Sequence, residues 1–414
     1  MKRRASKANL MTRSFLRVGH LPTLVASFLY FDLSFMVWVL LGPLAVFIAK
    51  DLGLTPGQNG LMLATPILAG AAFRIIAGFS ADVFKPRLTA LVMQVIVIVG
   101  LSLAWALGVS TYSGVMGVAA LLGVAGASFA VALPLASYWY PPEHQGTALG
   151  IAGAGNSGTV FAALFAPSLA LAFGWQNVIG LAAIPLILVL VAFFLLAKDS
   201  PNSPPRRAAA DYLDVLKTKD AWWLMGFYCV TFGGFVGLSY FLPTYFVGQY
   251  GLSKVNAGYC TAACVFCGSF ARPLGGVLAD RIGGIVTLSA VYGALAVLLG
   301  LIAYGLGDIT TALPVIMLTM ATFGAGNGSV FQIVPQRFQK NVGIVTGFVG
   351  AMGGVGGFLL NISFGYGKQF FGTFSLGFIL FAGLSLIALV ALTGVSFRWR
   401  QTWLARAGAQ PIAA

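Results

Sequence analysis

Two arginines, Arg74 and Arg272, lie inside long apolar stretches of this sequence. A guanidinium in the middle of a membrane helix costs at least about 2.5–3.5 kcal/mol, so such residues usually face a bundle interior or an aqueous path. Asp32 is the one acidic residue well inside an apolar stretch, so at least one arginine lacks a carboxylate partner. A desolvated arginine without that partner needs an anionic ligand, while a structural ion pair is the alternative role. The planar fork of arginine donors suits a small planar oxyanion.

The composition of the chain is that of a membrane protein. Of its 414 residues, 59% are hydrophobic and only 8% are charged, against roughly 45–50% and about 25% in soluble domains. Ten acidic residues, two histidines and four cysteines leave few groups for catalysis, so an enzyme is not expected. Cys260, Cys264 and Cys267 share one helix face but lack a fourth ligand, which favours packing over a metal site. No cofactor is predicted.

Twelve apolar segments are long enough to cross a bilayer, which requires about 20 residues per helix. Basic residues cluster at both ends of the chain, in a central polar interval and in alternate connections. The positive-inside rule therefore predicts that both termini and the central interval are cytoplasmic. Because the net charge of +14 forms no single patch, no nucleic-acid partner is expected. The predicted spans are 23–48, 59–81, 88–108, 113–137, 147–172, 176–197, 221–247, 257–279, 285–306, 311–334, 343–366 and 372–397.

The longest polar interval, which contains three prolines, divides the chain into two sets of six spans. The predicted domains are a bundle at 1–197, a cytoplasmic linker at 198–220 and a second bundle at 221–414. Both halves start on the same side, which indicates parallel repeats with a binding site between them near the midplane. A shift of 198 residues superimposes Gly53 on Gly251, Leu54 on Leu252, Gly60 on Gly258, Arg74 on Arg272, Gly78 on Gly276, Ala81 on Ala279 and Asp82 on Asp280.

A charged loop motif follows the second span of each half. Gly78-x-x-x-Asp82, followed by Lys85, resembles the motif after the second helix of the major facilitator superfamily, and Gly276-x-x-x-Asp280 is a weaker copy. In that family these loops hold helices together at the cytoplasmic surface and act as a gate. The resemblance implies an all-α membrane protein of the major facilitator fold, with twelve transmembrane helices in two parallel six-helix repeats.

Two glycine-rich stretches narrow the resemblance. Residues 150–158 read GIAGAGNSG and residues 347–357 read GFVGAMGGVGG. They are similar to the two nitrate signatures of the nitrate/nitrite porter family. Glycines in membrane helices permit close backbone approach, and a dense run can also let helices slide. The glycines expected to serve packing and gating here are Gly153, Gly155, Gly158, Gly350, Gly353, Gly354 and Gly357.

This resemblance implies a substrate site. Arg74 and Arg272 correspond to the two substrate-binding arginines of the porter family. Phe129, Tyr228 and Phe232 match positions where the family places aromatic residues around the anion. The alternative for each aromatic residue is ordinary core or lipid-facing packing, because the chain has 33 Phe and 13 Tyr.

Two further polar residues are candidates for function. Asn156 lies in the first glycine run. For this pair of helices the appropriate offset is 199 residues, which makes Val355 its counterpart, so the amide exists in one half only. This asymmetry favours a substrate contact over an interhelical hydrogen bond. Asp32 is a possible proton relay, because a carboxylate inside a membrane is a functional candidate. A static partner of Arg74 or of backbone donors is its alternative role.

The expected activity is alternating-access transport of nitrate, nitrite or both, with the anion held between the two arginines. Exchange of nitrate for nitrite is favoured, because an anion that neutralises two facing cations lowers the cost of occlusion. Proton-coupled symport and a carrier of another small or organic anion stay open. The expected location is the bacterial cytoplasmic membrane, where the protein acts as a monomer.

Overall fold

The computed structural model describes residues 18–201, 209–338 and 342–404, and the regular elements in these ranges are helices. Twelve helices in these ranges are long and apolar enough to cross a membrane, which confirms the predicted number. Their lengths of 21 to 32 residues suffice for a hydrocarbon core about 30 Å thick. Several basic residues used to predict the orientation lie outside the described residues: Lys2, Arg3, Arg4, Lys7, Arg13, Arg17, Arg206, Arg207, Lys340 and Arg406.

The membrane-length helices are numbered in chain order, and a short linker helix, Ala209–Lys217, lies between the sixth and the seventh. They are α1 (Leu21–Asp51), α2 (Pro56–Phe84), α3 (Pro86–Leu107), α4 (Tyr112–Ser137), α5 (Ala148–Phe173), α6 (Trp175–Leu196), α7 (Lys219–Tyr250), α8 (Lys254–Ile282), α9 (Gly284–Tyr304), α10 (Ile309–Arg337), α11 (Val342–Phe371) and α12 (Ser375–Thr402).

Successive helices run in opposite directions, so their ends define two faces of the molecule. The linker face holds the turn between α2 and α3, at Lys85, and the linker helix. The opposite face holds the turn between α1 and α2, at residues 52–55. Local sequence starts several helices at the opposite face: Thr55 and Gln58 form a capping box at α2, and Asp308 accepts a hydrogen bond from the Thr311 amide at α10.

Four long helices are interrupted within the membrane. α1 is broken between Trp38 and Leu41, α4 is broken between Gly126 and Phe129, α5 contains a 3-10 segment at Ala154–Ser157, and α6 is broken at Ala182. An interruption frees backbone carbonyls from their usual partners, and side chains of neighbouring helices can replace those partners. Hydropathy predicts the spans but none of these four breaks.

The first six helices pack closely against the last six towards the opposite face. A Cβ at Gly60 of α2 would lie 2.8 Å from the Gly365 Cα of α11. A Cβ at Gly258 of α8, the repeat counterpart of Gly60, would lie 2.6 Å from the Ala163 carbonyl oxygen of α5. Backbones can meet this closely only where side chains are missing, so these two equivalent glycines close the opposite face.

Candidate functional site

Arg74 lies on α2 about 15 Å of helix from the linker face and is 2% exposed. Its Nε donates a hydrogen bond to the Gly126 carbonyl oxygen, 3.0 Å away, and its Nη1 donates to the Gly350 carbonyl oxygen, 2.6 Å away. The Gly126 carbonyl can accept this bond because α4 is broken there. Nη2 of Arg74 is buried without a hydrogen-bond partner. The guanidinium is therefore held by α4 and α11 with one nitrogen left for a ligand.

Arg272 occupies the equivalent position of α8 and is half-buried. Its Nη1 is buried without a hydrogen-bond partner. In the described parts of the chain, neither Arg272 nor Arg74 forms an ion pair with a carboxylate. The site thus holds two guanidinium groups whose charges no acidic side chain neutralises, and an anion is the ligand that this arrangement favours.

Aromatic rings surround the two guanidinium groups. The Phe129 ring centroid lies 5.8 Å from the Cζ atoms of both Arg74 and Arg272. The Phe232 centroid lies 5.1 Å from the Arg74 Cζ, and Tyr228 stacks on Phe232 with centroids 5.0 Å apart. Arginines over aromatic faces are stabilised electrostatically. The structure therefore brings both predicted arginines and all three predicted aromatic residues into one cluster.

Sequence reasoning missed other members of this cluster. Phe331 of α10 lies 5.4 Å from the Arg272 Cζ, and its ring meets Tyr228 edge-on at 4.9 Å. Trp38 and Phe35 of α1 lie 5.1 and 5.9 Å from the Arg74 Cζ. The repeat gives only an approximate signal for Phe331, which stands 202 residues after Phe129, one helical turn beyond the 198-residue offset.

A cavity of about 40 Å³ leads from Arg74 towards the linker face. Gly78 and Asp82 line it one and two turns further along α2. At its outer end the Tyr212 hydroxyl of the linker helix donates a 2.7 Å hydrogen bond to Asp82. Phe348 of α11 also lines the cavity and packs edge-on against the Tyr212 ring. The site is therefore reached from the linker face, past the charged loop motif.

Asp32 lies apart from the arginines. It is 3% exposed, and its carboxylate accepts a 2.7 Å hydrogen bond from the Ser157 hydroxyl. Ser157 belongs to the interrupted part of α5. Asn156 in the same segment is 2% exposed, and its Oδ1 is buried without a hydrogen-bond partner. Asp32 thus contacts the first glycine signature and makes no ion pair with Arg74.

The glycines of the signatures differ in what they face. A Cβ at Gly158 would lie 1.7 Å from the Asp32 carbonyl oxygen, whereas Gly153 faces open space. Gly353 faces the rings of Tyr228 and Phe232. Gly155, Gly354 and Gly357 also have close neighbours.

The charged loop motifs are less tightly packed. A Cβ at Gly78 or Gly276 would crowd no neighbouring atom, and Asp280 is exposed.

Known proteins resemble this chain along most of its length. The sequence profile of the Major Facilitator Superfamily matches residues 26–361. The "Probable nitrate transporter NarT" of Staphylococcus carnosus is 32% identical over 367 residues, which cover 88% of this chain and 93% of that protein. The chain belongs to the nitrate/nitrite porter family of the major facilitator superfamily. As a major facilitator protein, it is a multi-pass membrane transporter and not an enzyme.

Two further relatives from the porter family and a solved structure of a transporter are also similar to this chain. The "Nitrite extrusion protein" of Bacillus subtilis is 30% identical over 86% of this chain and 90% of its own length. The "Probable nitrate/nitrite antiporter NarK1" of Thermus thermophilus is 31% identical over 92% and 91%. The partially occluded inward-open xylose transporter XylE from E. coli superimposes with a TM-score of 0.71 at 14% identity, over 90% of this chain and 97% of that chain. Identity that low shows the shared fold alone.

Proposed function

We propose that this carrier moves nitrate and nitrite across the bacterial cytoplasmic membrane, with the anion bound between Arg74 and Arg272. The observation that carries the proposal is a pair of guanidinium groups at equivalent positions. Each has a buried nitrogen without a hydrogen-bond partner, and both face the Phe129 ring. The relatives named as nitrate or nitrite transporters support the same substrate class.

The chemistry of the site fits a small planar oxyanion. Guanidinium groups present coplanar donors to such an ion and remain charged at any working pH. The aromatic rings of Phe129, Phe232 and Tyr228 exclude water and strengthen the interaction with the ion. A larger organic anion would require polar groups around its body, whereas the described surroundings of the arginines are mostly rings and glycines.

Exchange of nitrate and nitrite is the proposed mode. Without an anion, the two guanidinium groups repel each other, and Arg74 donates to a carbonyl of the other half, that of Gly350. A bound anion neutralises both groups and lowers the cost of enclosing them, so loaded carriers cross most readily. Proton-coupled symport is the second candidate, because Asp32 is a buried carboxylate. Its hydrogen bond with Ser157 supports a packing role and hence exchange.

The proposed orientation follows from the basic residues. Lys85, Arg87, Lys198, Lys217 and Lys219 lie at the linker face, and basic residues favour the cytoplasmic side. In this orientation both termini are cytoplasmic and the cavity beside Arg74 opens inward. The six-helix bundles at 1–197 and 221–414 are proposed as the two moving domains, with 198–220 as their linker, in a monomeric carrier.

Flux into proteoliposomes tests the proposed function. Purified protein is reconstituted with nitrate, nitrite or neither inside, and uptake of external nitrate or nitrite is followed with and without an inward proton gradient. Exchange predicts uptake only when an internal anion is present. Accumulation in anion-free vesicles driven by the gradient would establish symport instead. Absence of nitrate and nitrite flux under every condition would exclude these two anions as the substrates.

A further inference from the structure

Trp38 supports Arg74 from the side of the opposite face. The indole ring is 0% exposed and lies 5.1 Å from the Arg74 Cζ. Its Nε1 donates a 2.8 Å hydrogen bond to the Pro66 carbonyl oxygen, two helical turns before Arg74 on α2. Gly70 and Gly126 lie against the ring, and a Cβ at Gly126 would come within 2.5 Å of it. The ring is thus fixed against the stretch of α2 that ends in Arg74.

The backbone of Trp38 is tied to the other half of the molecule. The Gly42 amide donates to the Val39 carbonyl where α1 is broken, so the Trp38 carbonyl oxygen lacks its usual helical partner. The Tyr240 hydroxyl of α7 donates a hydrogen bond to this oxygen. Tyr240 is 0% exposed, and its ring meets the Trp38 ring edge-on at 5.9 Å. One residue therefore contacts the site through its ring and α7 through its carbonyl.

Tyr240 and Gly42 are equivalent positions, because they are 198 residues apart. They also pack against each other, and a Cβ at Gly42 would lie 2.9 Å from the Tyr240 carbonyl oxygen. Tyr240 of the second half can thus lie this close to α1 because the equivalent residue of the first half, Gly42, has no side chain. The hydrogen bond lies between the arginine site and the opposite face, so it must break when α1 and α7 separate there.

We infer that Trp38 is a positioning residue for Arg74, and that its hydrogen bond with Tyr240 couples closure of the opposite face to the binding geometry of the site. The coupling to anion binding rests on the proposed function. With the opposite face closed, Trp38 is anchored from both halves and supports the Arg74 guanidinium. Opening that face removes the Tyr240 anchor, so Trp38 is held by α2 alone.

Tyr240→Phe tests the coupling, because it removes only the hydroxyl. Tyr245→Phe is the matched control, since the Tyr245 hydroxyl pairs with Tyr250 of the same helix. A cysteine placed at Thr244, which contacts Asn59 across the halves, reports opening of the opposite face when the four native cysteines are replaced by alanine. Tyr240→Phe should raise its alkylation rate about fivefold, the factor expected for one lost hydrogen bond, and Tyr245→Phe should leave it unchanged.

Trp38→Phe tests the positioning role through transport kinetics. This substitution removes the indole N–H and puts a smaller phenyl ring beside Arg74. The apparent KM for nitrate should therefore rise several-fold, with little change in the maximal exchange rate. A lower maximal rate at unchanged KM would overturn the positioning role. Equal alkylation in Tyr240→Phe and Tyr245→Phe would overturn the coupling. If Trp38→Phe does not fold, the KM of Tyr240→Phe decides the positioning role, because this variant releases the Trp38 carbonyl and should also raise the KM. A wild-type protein without nitrate flux would refute the proposed function, while alkylation would still show whether the Tyr240 hydrogen bond holds the opposite face closed.

Discussion

Arg74 distributes its donors between the protein and an open position. Nε and Nη1 are bonded to the carbonyls of Gly126 and Gly350, and Nη2 has no partner. A lysine ammonium cannot reach two carbonyls and a ligand in this fixed geometry. Because hydrogen bonds to charged groups contribute about 1.5–3 kcal/mol each, Arg74→Lys should reduce nitrate exchange by at least about tenfold. The rate of nitrate exchange in proteoliposomes, compared between wild type and variant, measures this loss.

Arg272→Lys should show a comparable loss of exchange, since the anion needs both guanidinium groups. Gel filtration in detergent checks that each variant still folds. Uptake at the wild-type rate in either properly folded variant would exclude a site formed by the two arginines.

Asp32 can be tested without disturbing its contacts. Asn at this position keeps an oxygen that accepts from the Ser157 hydroxyl, the donor seen here. Asp32→Asn should therefore retain exchange within about twofold, because a neutral acceptor replaces a charged one in the same place. Any uptake driven by a proton gradient should be lost, because the amide cannot carry a proton. Proton-driven accumulation that survives in this variant would dismiss Asp32 as a relay.

At the scale of elements, the first glycine signature supports the crossing of α1 and α5. A Cβ at Gly158 would lie 1.7 Å from the Asp32 carbonyl oxygen, whereas a Cβ at Gly153 would meet nothing within 4 Å. Gly158→Ala should destabilise the protein by about 1–3 kcal/mol, the usual cost of overpacking, and Gly153→Ala should be neutral or stabilising. Thermal unfolding in detergent compares the two. Equal melting temperatures would contradict the tight crossing.

The start of α1 should respond to pH. The His20 Nδ1 accepts from the Thr23 amide and caps the helix, and its ring stacks on Trp139 at 4.7 Å. Burial, and secondarily the charge of Lys198, lower the pKa of His20 below its ordinary value of 6.5. Stability contributed by this group is therefore constant above pH 6.5 and falls below it, because the unfolded chain takes up the proton first.

The matched variant for this pH response is His20→Asn. Asparagine caps a helix without titrating. The wild-type melting temperature should fall more between pH 7.5 and pH 5.5 than that of the variant. The same fall in both proteins would assign the response to other groups.

Hydropathy predicted the elements better than it predicted the site. The span at 59–81 corresponds to Pro56–Phe84, and the span at 285–306 to Gly284–Tyr304. The arginines stood out because charge is rare inside a membrane. Trp38 did not, because one aromatic residue in an apolar helix looks like any other. Its role depends on a helix break and on a carbonyl from that break, and neither has a signal in residue type or spacing.

At the scale of the whole molecule, closure of the opposite face depends on backbone contact between the halves. Gly365 lies against Gly60, and a Cβ at Gly365 would be 2.7 Å from the Pro56 carbonyl oxygen. Gly365→Ala should therefore disfavour this closed state and shift the carrier towards the state open at that face. Gly383→Ala on α12, where a Cβ has free space, is the control.

Spin labels at Ser110 and Gly307, which are exposed at the opposite face in the two halves, report this shift as a longer distance between labels. Only Gly365→Ala should lengthen it. An unchanged distance distribution in folded Gly365→Ala would show that the glycine contact does not control closure.

The pairing of Gly42 with Tyr240 has a consequence for how such a carrier could have arisen. Two copies of the first half would bring glycine against glycine and leave the Trp38 carbonyl unsatisfied. Two copies of the second half would bring two tyrosines into a space that holds one. The duplicated halves are therefore no longer interchangeable, and a homodimer of six-helix chains could not close as this molecule does. Fusion into one polypeptide guarantees that each first half pairs with a second half. Separate subunits would have to discriminate between like and unlike copies to achieve the same pairing.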